Sequence, residues 1–141
     1  MLKGVIRCPV YPTEDYERLV TALSNLFPDM RCDRKEIGTR EELILYFEDR
    51  ASLGYLKQMI HDARILDAVR SRLEKNWNGM NTIIRLDKQV AFYGKVRLID
   101  DSEEDPPLGY IELQIDIDNE NFDDFINWMT PPTKDGRVIS D

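Results

Sequence analysis

"YIELQIDID", from Tyr110 to Asp118, alternates polar and apolar side chains over its whole length. Successive residues of a strand point to opposite sides, so this alternation predicts a strand with one apolar and one polar face. The apolar side chains are Ile111, Leu113, Ile115 and Ile117, and the polar ones are Tyr110, Glu112, Gln114 and Asp116. We therefore expect a sheet that buries one of its faces.

Helical patterns lie on both sides of this strand in the sequence. "DARILDAVRSRLEKNW" has an apolar stripe with the 3.6-residue period of a helix, and Gly79 follows it as a stop signal. After the strand, apolar residues from Phe122 to Met129 recur at the same spacing. Near the N-terminus, Thr13 is the expected N-cap of a helix that Pro28 closes. A fourth helical stretch is predicted to begin at Asp49 or Ser52. The four stretches predict helices that back the sheet.

Further strands are predicted at "KGVIRCPVY", "MRCDRKEI", "ELILYFED" and "TIIRLD", although the composition of "ELILYFED" also suits a helix. The resulting order, roughly βαββααβββα, is typical of an α+β domain with a largely antiparallel sheet backed by helices. We expect residues 1–130 to form this single domain and residues 131–141 to be a turn-rich tail.

The stretch "VAFYGKVRLID" is predicted to add one more strand, bent at Lys88–Gln89 or at Gly94. Its alternation would turn Val90, Phe92, Gly94, Val96 and Leu98 toward the core. Ala91, Tyr93, Lys95 and Arg97 would then face outward. The outer side of this strand would therefore present one aromatic ring and two cations.

Charge is divided unevenly along the chain. The formal net charge is −8, but residues 57–97 carry +5 and the remainder carries −13. The acidic total argues against a general binder of nucleic acids or anionic membranes. The local excess of cations favours a confined site for an anionic partner.

Cations and an aromatic ring on an exposed sheet are the means by which sheet-based RNA binders neutralise phosphates and stack bases. We therefore predict non-catalytic binding of structured RNA, with Tyr93 as the stacking surface. The cations expected to contact phosphate are Arg64, Arg70, Lys88, Lys95 and Arg97.

An ordinary solvated surface is the alternative interpretation of the same cations. A hairpin closed by "DDSEEDPPLG" would place Glu112 beside Lys95 or Arg97. Asp67 lies three residues from both Arg64 and Arg70, which is the spacing of helical ion pairs. Ion pairs of this kind would cancel much of the positive field.

Catalytic, cofactor and metal motifs are not recognisable, so we expect no enzyme, no cofactor and no metal. His61, the one histidine, is expected at a helix end, and "DIDNENFDD" lacks the glycine and glutamate of a calcium loop. No apolar run would span a bilayer and the N-terminus lacks a signal peptide, which favours the cytoplasm. Cys8 and Cys32 are then expected to be two free thiols.

Four stretches carry a family resemblance: "RILDAVRSRLEKN", "DKQVAFYGKVRL", "PLGYIELQI" and "INWMTPPTKDGRVI". In this order they resemble the archaeal proteins grouped as uncharacterised protein family 0201, whose members are labelled RNA-binding or exosome-subunit-like. The resemblance implies a fold similar to the ribosomal protein that binds 5S rRNA, and no enzymatic activity. The competing class is a protein-interaction or scaffold module that faces a protein partner or a second copy in a homodimer.

Overall fold

The computed structural model describes residues 2–100, 104–134 and 137–138 and contains a five-stranded sheet. Its strands are β1 (Leu2–Val10), β2 (Cys32–Ile37), β3 (Arg40–Phe47), β4 (Asn81–Leu86) and β5 (Ile111–Ile117). They are ordered β2-β3-β1-β5-β4, and every neighbouring pair is antiparallel. The predicted α+β class and antiparallel sheet are confirmed.

The helices are α1 (Tyr16–Leu26), α2 (Gly54–Asp62), α3 (Leu66–Lys75), α4 (Lys88–Phe92) and α5 (Phe122–Met129). Short 3₁₀ turns, Arg50–Leu53 and Asn119–Asn121, lead into α2 and α5. Asp15, not Thr13, caps α1, because its side chain accepts the Glu17 N–H at 3.0 Å. None of the helices in the described residues combines the length and the apolar composition that spanning a bilayer requires.

The sheet buries one face under the helices, as the alternation of "YIELQIDID" predicted. Leu113 lies opposite Ile6 on β1 and Ile84 on β4, and all three side chains are fully buried. The buried apolar side chains of the five helices join this same layer, for example Leu73 of α3 and Phe125 of α5. Stability therefore rests on one core between the helices and one side of the sheet.

The opposite side of the sheet carries the other alternate residues, and we call it the open sheet face. Val5 and Ile44 lie at its centre and belong to no part of the helix-side core. The charged and aromatic side chains of the open sheet face are Lys3, Arg7, Tyr11, Asp33, Lys35, Arg40, Glu42, Tyr46, Arg85, Tyr110, Glu112 and Asp116. Polar and aromatic groups thus cover the side that the helices leave bare.

The predicted strand over "VAFYGKVRLID" is wrong. Lys88–Phe92 form the short helix α4, which begins at Asp87, whose side chain accepts the Val90 N–H at 3.0 Å. Gly94, with φ of 76°, ends it, and Leu98 forms an isolated bridge to Leu86. Helix α3 packs against β4 instead, where Thr82 Oγ1 donates to the Leu73 carbonyl at 2.7 Å.

The predicted tail contains two paired strands, β6 (Thr133–Lys134) and β7 (Arg137–Val138). Residues 135–136 and 139–141 of the tail, and residues 101–103 of the acidic loop, lie outside the described residues. The division of the chain at residue 130 stays a prediction.

Both thiols are free, and burial sets their reactivity. Cys8 is fully buried, and loss of solvation raises its pKa to about 12. Cys32 is partly exposed, and burial raises its pKa as well.

Because the thiolate is the nucleophile, iodoacetamide at mildly alkaline pH should modify Cys32 well before Cys8 in the native protein. Mass spectrometry over time would follow this, with two labels expected on the denatured, unreduced chain; equal native rates would contradict the burial of Cys8.

Candidate nucleic-acid interface

The two predicted cations around α3 differ in accessibility. Arg64 is exposed between α2 and α3, with φ of 60°. Arg70 donates to the Thr130 carbonyl at 2.9 Å and pairs with Glu74 at 3.1 Å. Asp67, the expected partner of both, accepts a hydrogen bond from Thr133. The predicted helical ion pair therefore exists, but with a different carboxylate.

Lys88 is buried rather than presented to a phosphate. Its side chain is 5 % exposed, and its ammonium lies 2.9 Å from the Glu14 carboxylate. The same ammonium donates to the carbonyls of Pro9, at 2.7 Å, and Leu108. Three donors of one ammonium are thus occupied by three separate parts of the chain. Lys88 therefore holds these segments together and does not belong to the surface proposed to bind RNA.

Arg97 and Lys95 follow α4 and have contrasting surroundings. Arg97 lies between two carboxylates, 3.0 Å from Asp87 and 2.6 Å from Glu104. The hydrogen bond from Arg97 holds the pKa of the Glu104 carboxyl below its ordinary value. Lys95 is exposed. The expected partner Glu112 lies opposite Arg7 and Arg85 instead. The ion-pair alternative therefore holds for Arg97, through different acids.

Tyr93 remains on the surface, 69 % exposed, at the end of α4. The Arg18 guanidinium of α1 lies 3.9 Å from the centre of the Phe92 ring and donates to the Tyr93 hydroxyl at 3.4 Å. Asn25 anchors the helix by donating to the Ala91 and Phe92 carbonyls. Arg18, Phe92, Tyr93 and Lys95 form a small group that we call the α1–α4 patch.

The six predicted site residues do not form one continuous cationic surface. Arg64 and Arg70 lie at α3, which packs on β4, whereas Tyr93 and Lys95 belong with α1 and α4. Lys88 and Arg97 are held by carboxylates. The predicted cations are therefore dispersed in the fold, and three of the five pair with carboxylates: Arg70, Lys88 and Arg97.

The open sheet face brings together tyrosines that are remote in sequence, each with a cation beside its ring. Lys35 donates to the Tyr46 hydroxyl at 3.1 Å, and this hydrogen bond raises the pKa of Lys35. Arg40 donates to the Tyr11 hydroxyl at 3.2 Å, and its guanidinium lies 5.8 Å from the ring centre. The Arg85 guanidinium lies 5.0 Å from the centre of the Tyr110 ring. The two distances to ring centres, 5.8 and 5.0 Å, lie within the range of cation–π contacts.

Charges on the open sheet face are nearly balanced. Its basic side chains are Lys3, Arg7, Lys35, Arg40 and Arg85, and its acidic ones are Asp33, Glu42, Glu112 and Asp116. Arg7 and Glu42 form a loose pair at 3.7 Å. Attraction of a polyanion by net charge is therefore weak here, and recognition would depend on rings and individual hydrogen bonds.

Other groups considered in the sequence lie apart from this face. His61 is exposed on α2, with its Nδ1 3.4 Å from the Asp62 carboxylate. Asp116 belongs to the open sheet face, and Asp118 precedes the 3₁₀ turn before α5. Within the described part of the chain, no three His, Cys, Asp or Glu side chains are placed to hold a metal ion.

Comparison with known proteins gives a family for this fold and surface. A family model described as RNA binding matches residues 5–117. The UPF0201 protein PH1010 of Pyrococcus horikoshii is 35% identical over 130 residues, which are 92% of this chain and 90% of that protein. A UPF0201 protein of Sulfolobus acidocaldarius is 33% identical over 136 residues, covering 96% and 92%. The chain belongs to the UPF0201 family.

Solved structures of other proteins share the architecture. The UPF0201 protein from Methanococcus jannaschii matches with a TM-score of 0.84 at 29% identity, covering 98% of this chain and 99% of the other. Mth689, a DUF54 protein from Methanothermobacter thermautotrophicus, matches with a TM-score of 0.60 at 22% identity over 91% and 96%, which shows the fold alone. The family resemblance found in the sequence is confirmed, while the likeness to the 5S rRNA-binding ribosomal protein stays a prediction.

The part of the chain matched by the family model described as RNA binding includes Tyr11, Tyr46 and Tyr110 of the open sheet face and ends with β5. Sequence reasoning placed Tyr110 on a polar strand face but did not connect it with Tyr11 and Tyr46. The sequence carried only a weak signal for this group. The alternation within each predicted strand can place one tyrosine on the polar face of that strand, but it does not relate one strand to another. Only the register of β1, β3 and β5 shows that the three rings share one side.

Proposed function

We propose that this UPF0201 chain is a cytoplasmic, non-catalytic RNA-binding protein that uses the open sheet face. The observation that carries the proposal is the group of three tyrosines, Tyr11, Tyr46 and Tyr110, each with a cation at its ring, on the side without helices. A sheet that exposes aromatic rings can stack unpaired bases, and adjacent cations can contact the phosphates between them. The match to a family model described as RNA binding supports the same proposal.

Unpaired bases in a loop or bulge of a structured RNA are the best-suited ligand. Stacking needs splayed bases, which a continuous A-form helix does not offer. The balanced charge of the open sheet face also disfavours a uniform duplex, whose binding depends mainly on phosphate contacts. We therefore expect a hairpin with a loop of about ten nucleotides to bind more tightly than a duplex of equal length.

Replacing Tyr46 with Ala is expected to weaken binding of this hairpin by about 1–3 kcal/mol, the usual worth of one base stacked on an aromatic ring. Tyr55→Ala is a matched control, because Tyr55 is 55% exposed on α2 and Tyr46 is 54% exposed on β3. Fluorescence anisotropy with a labelled hairpin, at about 50 and about 200 mM salt, would measure both affinities. Equal losses in the two variants would place the contact outside the open sheet face.

The surviving part of the sequence-based site can be tested in the same titration. Tyr93 and Lys95 of the α1–α4 patch remain exposed, as does Arg64 beside α3, and we propose them as two separate outer contacts for longer RNA. If Tyr93→Ala weakens binding and Tyr46→Ala does not, the α1–α4 patch is the primary site.

The ion pairs of Arg70, Lys88 and Arg97 favour a second candidate, a protein-interaction module that faces a partner or another copy. That candidate predicts no binding of either RNA at the higher salt concentration. Light scattering at increasing protein concentration would then measure self-association. A wild-type protein that binds neither the hairpin nor the duplex would overturn the RNA proposal.

A further inference from the structure

A cleft at one end of the open sheet face is suited to a single flat ligand. Its volume is about 370 Å³, and it lies between the end of β1, the start of β3 and the loop that precedes β5. Its walls include Arg7, Tyr11, Arg40, Glu42 and Tyr110. Sites for small ligands commonly enclose about 300–1,000 Å³, so the cleft can accept one nucleotide.

Glu42 supplies the most specific group of the cleft. The residue is 6% exposed and borders the cleft. Arg7 Nε lies 3.7 Å from its Oε1, beyond the roughly 2.7–3.2 Å of an N–H···O hydrogen bond. Within the described residues, no donor hydrogen bonds to this carboxylate. Neither oxygen of this carboxylate is among the buried, unpartnered side-chain atoms of the described residues, so both retain access to solvent. Donors of a ligand in the cleft can take the place of the water that such acceptors bind.

The aromatic walls of the cleft are held in place by close packing. Gly109 lies so near Pro9 that a Cβ on it would approach the proline Cγ to 2.9 Å. Lys88 ties the same loop to the end of β1 through the Leu108 and Pro9 carbonyls. Tyr11 and Tyr110 therefore stand on segments fixed to one another, as a preformed site for a planar ring requires.

Guanine is the base whose edge matches this arrangement. Its N1–H and its exocyclic N2 amino group are adjacent donors, and a carboxylate with two free oxygens can accept both. Adenine and cytosine place an acceptor next to their amino group, and uracil offers one donor between two acceptors. Guanidinium groups such as those of Arg7 and Arg40 are common partners of guanine O6 and N7.

We propose that this cleft holds one guanine that has left the base stack of the bound RNA. The Glu42 carboxylate accepts hydrogen bonds from its N1–H and from its N2 amino group. The inference rests on the proposed function, since the base arrives as part of the RNA strand. Tyr11 and Tyr110 supply the stacking surface, and Arg7 and Arg40 contact O6 or the flanking phosphates. The open sheet face thus combines general stacking with one position that reads sequence.

The test compares two single-stranded RNAs, oligouridine and the same oligouridine with one central guanosine. The wild-type protein should bind the guanosine-containing strand about 5- to 150-fold more tightly, the discrimination expected of one bidentate contact. Glu42→Gln should abolish this preference, so that the two strands bind the variant with equal affinity. Glu41→Gln is the matched control, because Glu41 is the preceding residue, faces the helix side and pairs with Arg34.

A second arm leaves the protein unaltered, so that folding of the variants cannot decide the result. Replacing the guanosine by inosine removes the N2 amino group alone and should remove a large part of the preference. Binding of both strands with equal affinity, or a preference that survives Glu42→Gln, would overturn the guanine site while RNA binding stands. Absence of binding to either strand and to the hairpin would overturn the proposed function and this inference with it. If the cleft instead binds a cationic side chain of a protein partner, neither the two strands nor the hairpin should bind.

Discussion

Replacing Lys88 with Met is expected to lower the free energy of unfolding by about 3–5 kcal/mol, the usual cost of removing one partner of a buried ion pair. Met keeps the length of the side chain but leaves the Glu14 carboxylate, whose side chain is 11% exposed, without its cation. It also deprives the Pro9 and Leu108 carbonyls of their donor. Urea denaturation followed by circular dichroism would measure the change.

Lys95→Met is the matched control for this substitution. Lys95 lies seven residues further along and is exposed, so its replacement should change the unfolding free energy by no more than about 0.5 kcal/mol. Equal midpoints for the two variants would show that the Lys88 ammonium is solvated and available to phosphate, as the sequence alone had suggested.

Leu113→Ala is expected to cost about 2–5 kcal/mol, the range for truncating a buried leucine. Leu113 is fully buried on β5 between Ile6 and Ile84, where the surrounding strands cannot collapse into the vacated space. The adjacent residue, Gln114, points to the open sheet face, so Gln114→Ala should change stability by no more than about 0.5 kcal/mol. Thermal and urea unfolding of the pair would check this; a similar loss in both would mean that the second face is also covered.

Periodicity predicted most of the fold because most elements are long enough to show it. The alternation of β5 and the stripes of α3 and α5 each repeat over at least two turns or four alternate residues, and each agrees with the observed burial. The two strands around "GTRE" were predicted from their composition and the turn-prone residues between them, and the structure has β2 and β3 there. The turn between them separates β2, which is largely exposed, from β3, which is largely buried.

The stretch after β4 misled the prediction because five residues are too few to show a helical period. Asp87 caps α4 locally, and the pattern of Val90, Phe92 and Val96 fits a strand equally well. What decides the outcome is remote: Asn25, from α1, holds the last carbonyls of α4, and Lys88 reaches Glu14. Contacts between residues more than 60 positions apart are not visible in a local pattern.

The candidate site was only partly predictable for a related reason. Charge counting located the cations but not their partners, so Lys88 was taken for a surface group and the pairing of Arg97 with Asp87 and Glu104 was missed. The cleft at Glu42 depends on the register of β1 against β3 and on the loop before β5. A glutamate in "ELILYFED" carries no sign that it will be buried.

The outermost strands of the sheet bear on how the protein behaves when it is concentrated. Strand β2 is one edge and carries four consecutive charged residues, 33–36, and β4 is the other edge. On β4, the Ile99 N–H donates to the Arg85 carbonyl at 2.8 Å, so part of that edge is already occupied. A strand added to β2 would have to desolvate its charges, which is how natural sheets avoid joining edge to edge. Both edges of the sheet therefore disfavour edge-to-edge association of molecules into fibrils, although one face of the sheet is not covered by helices.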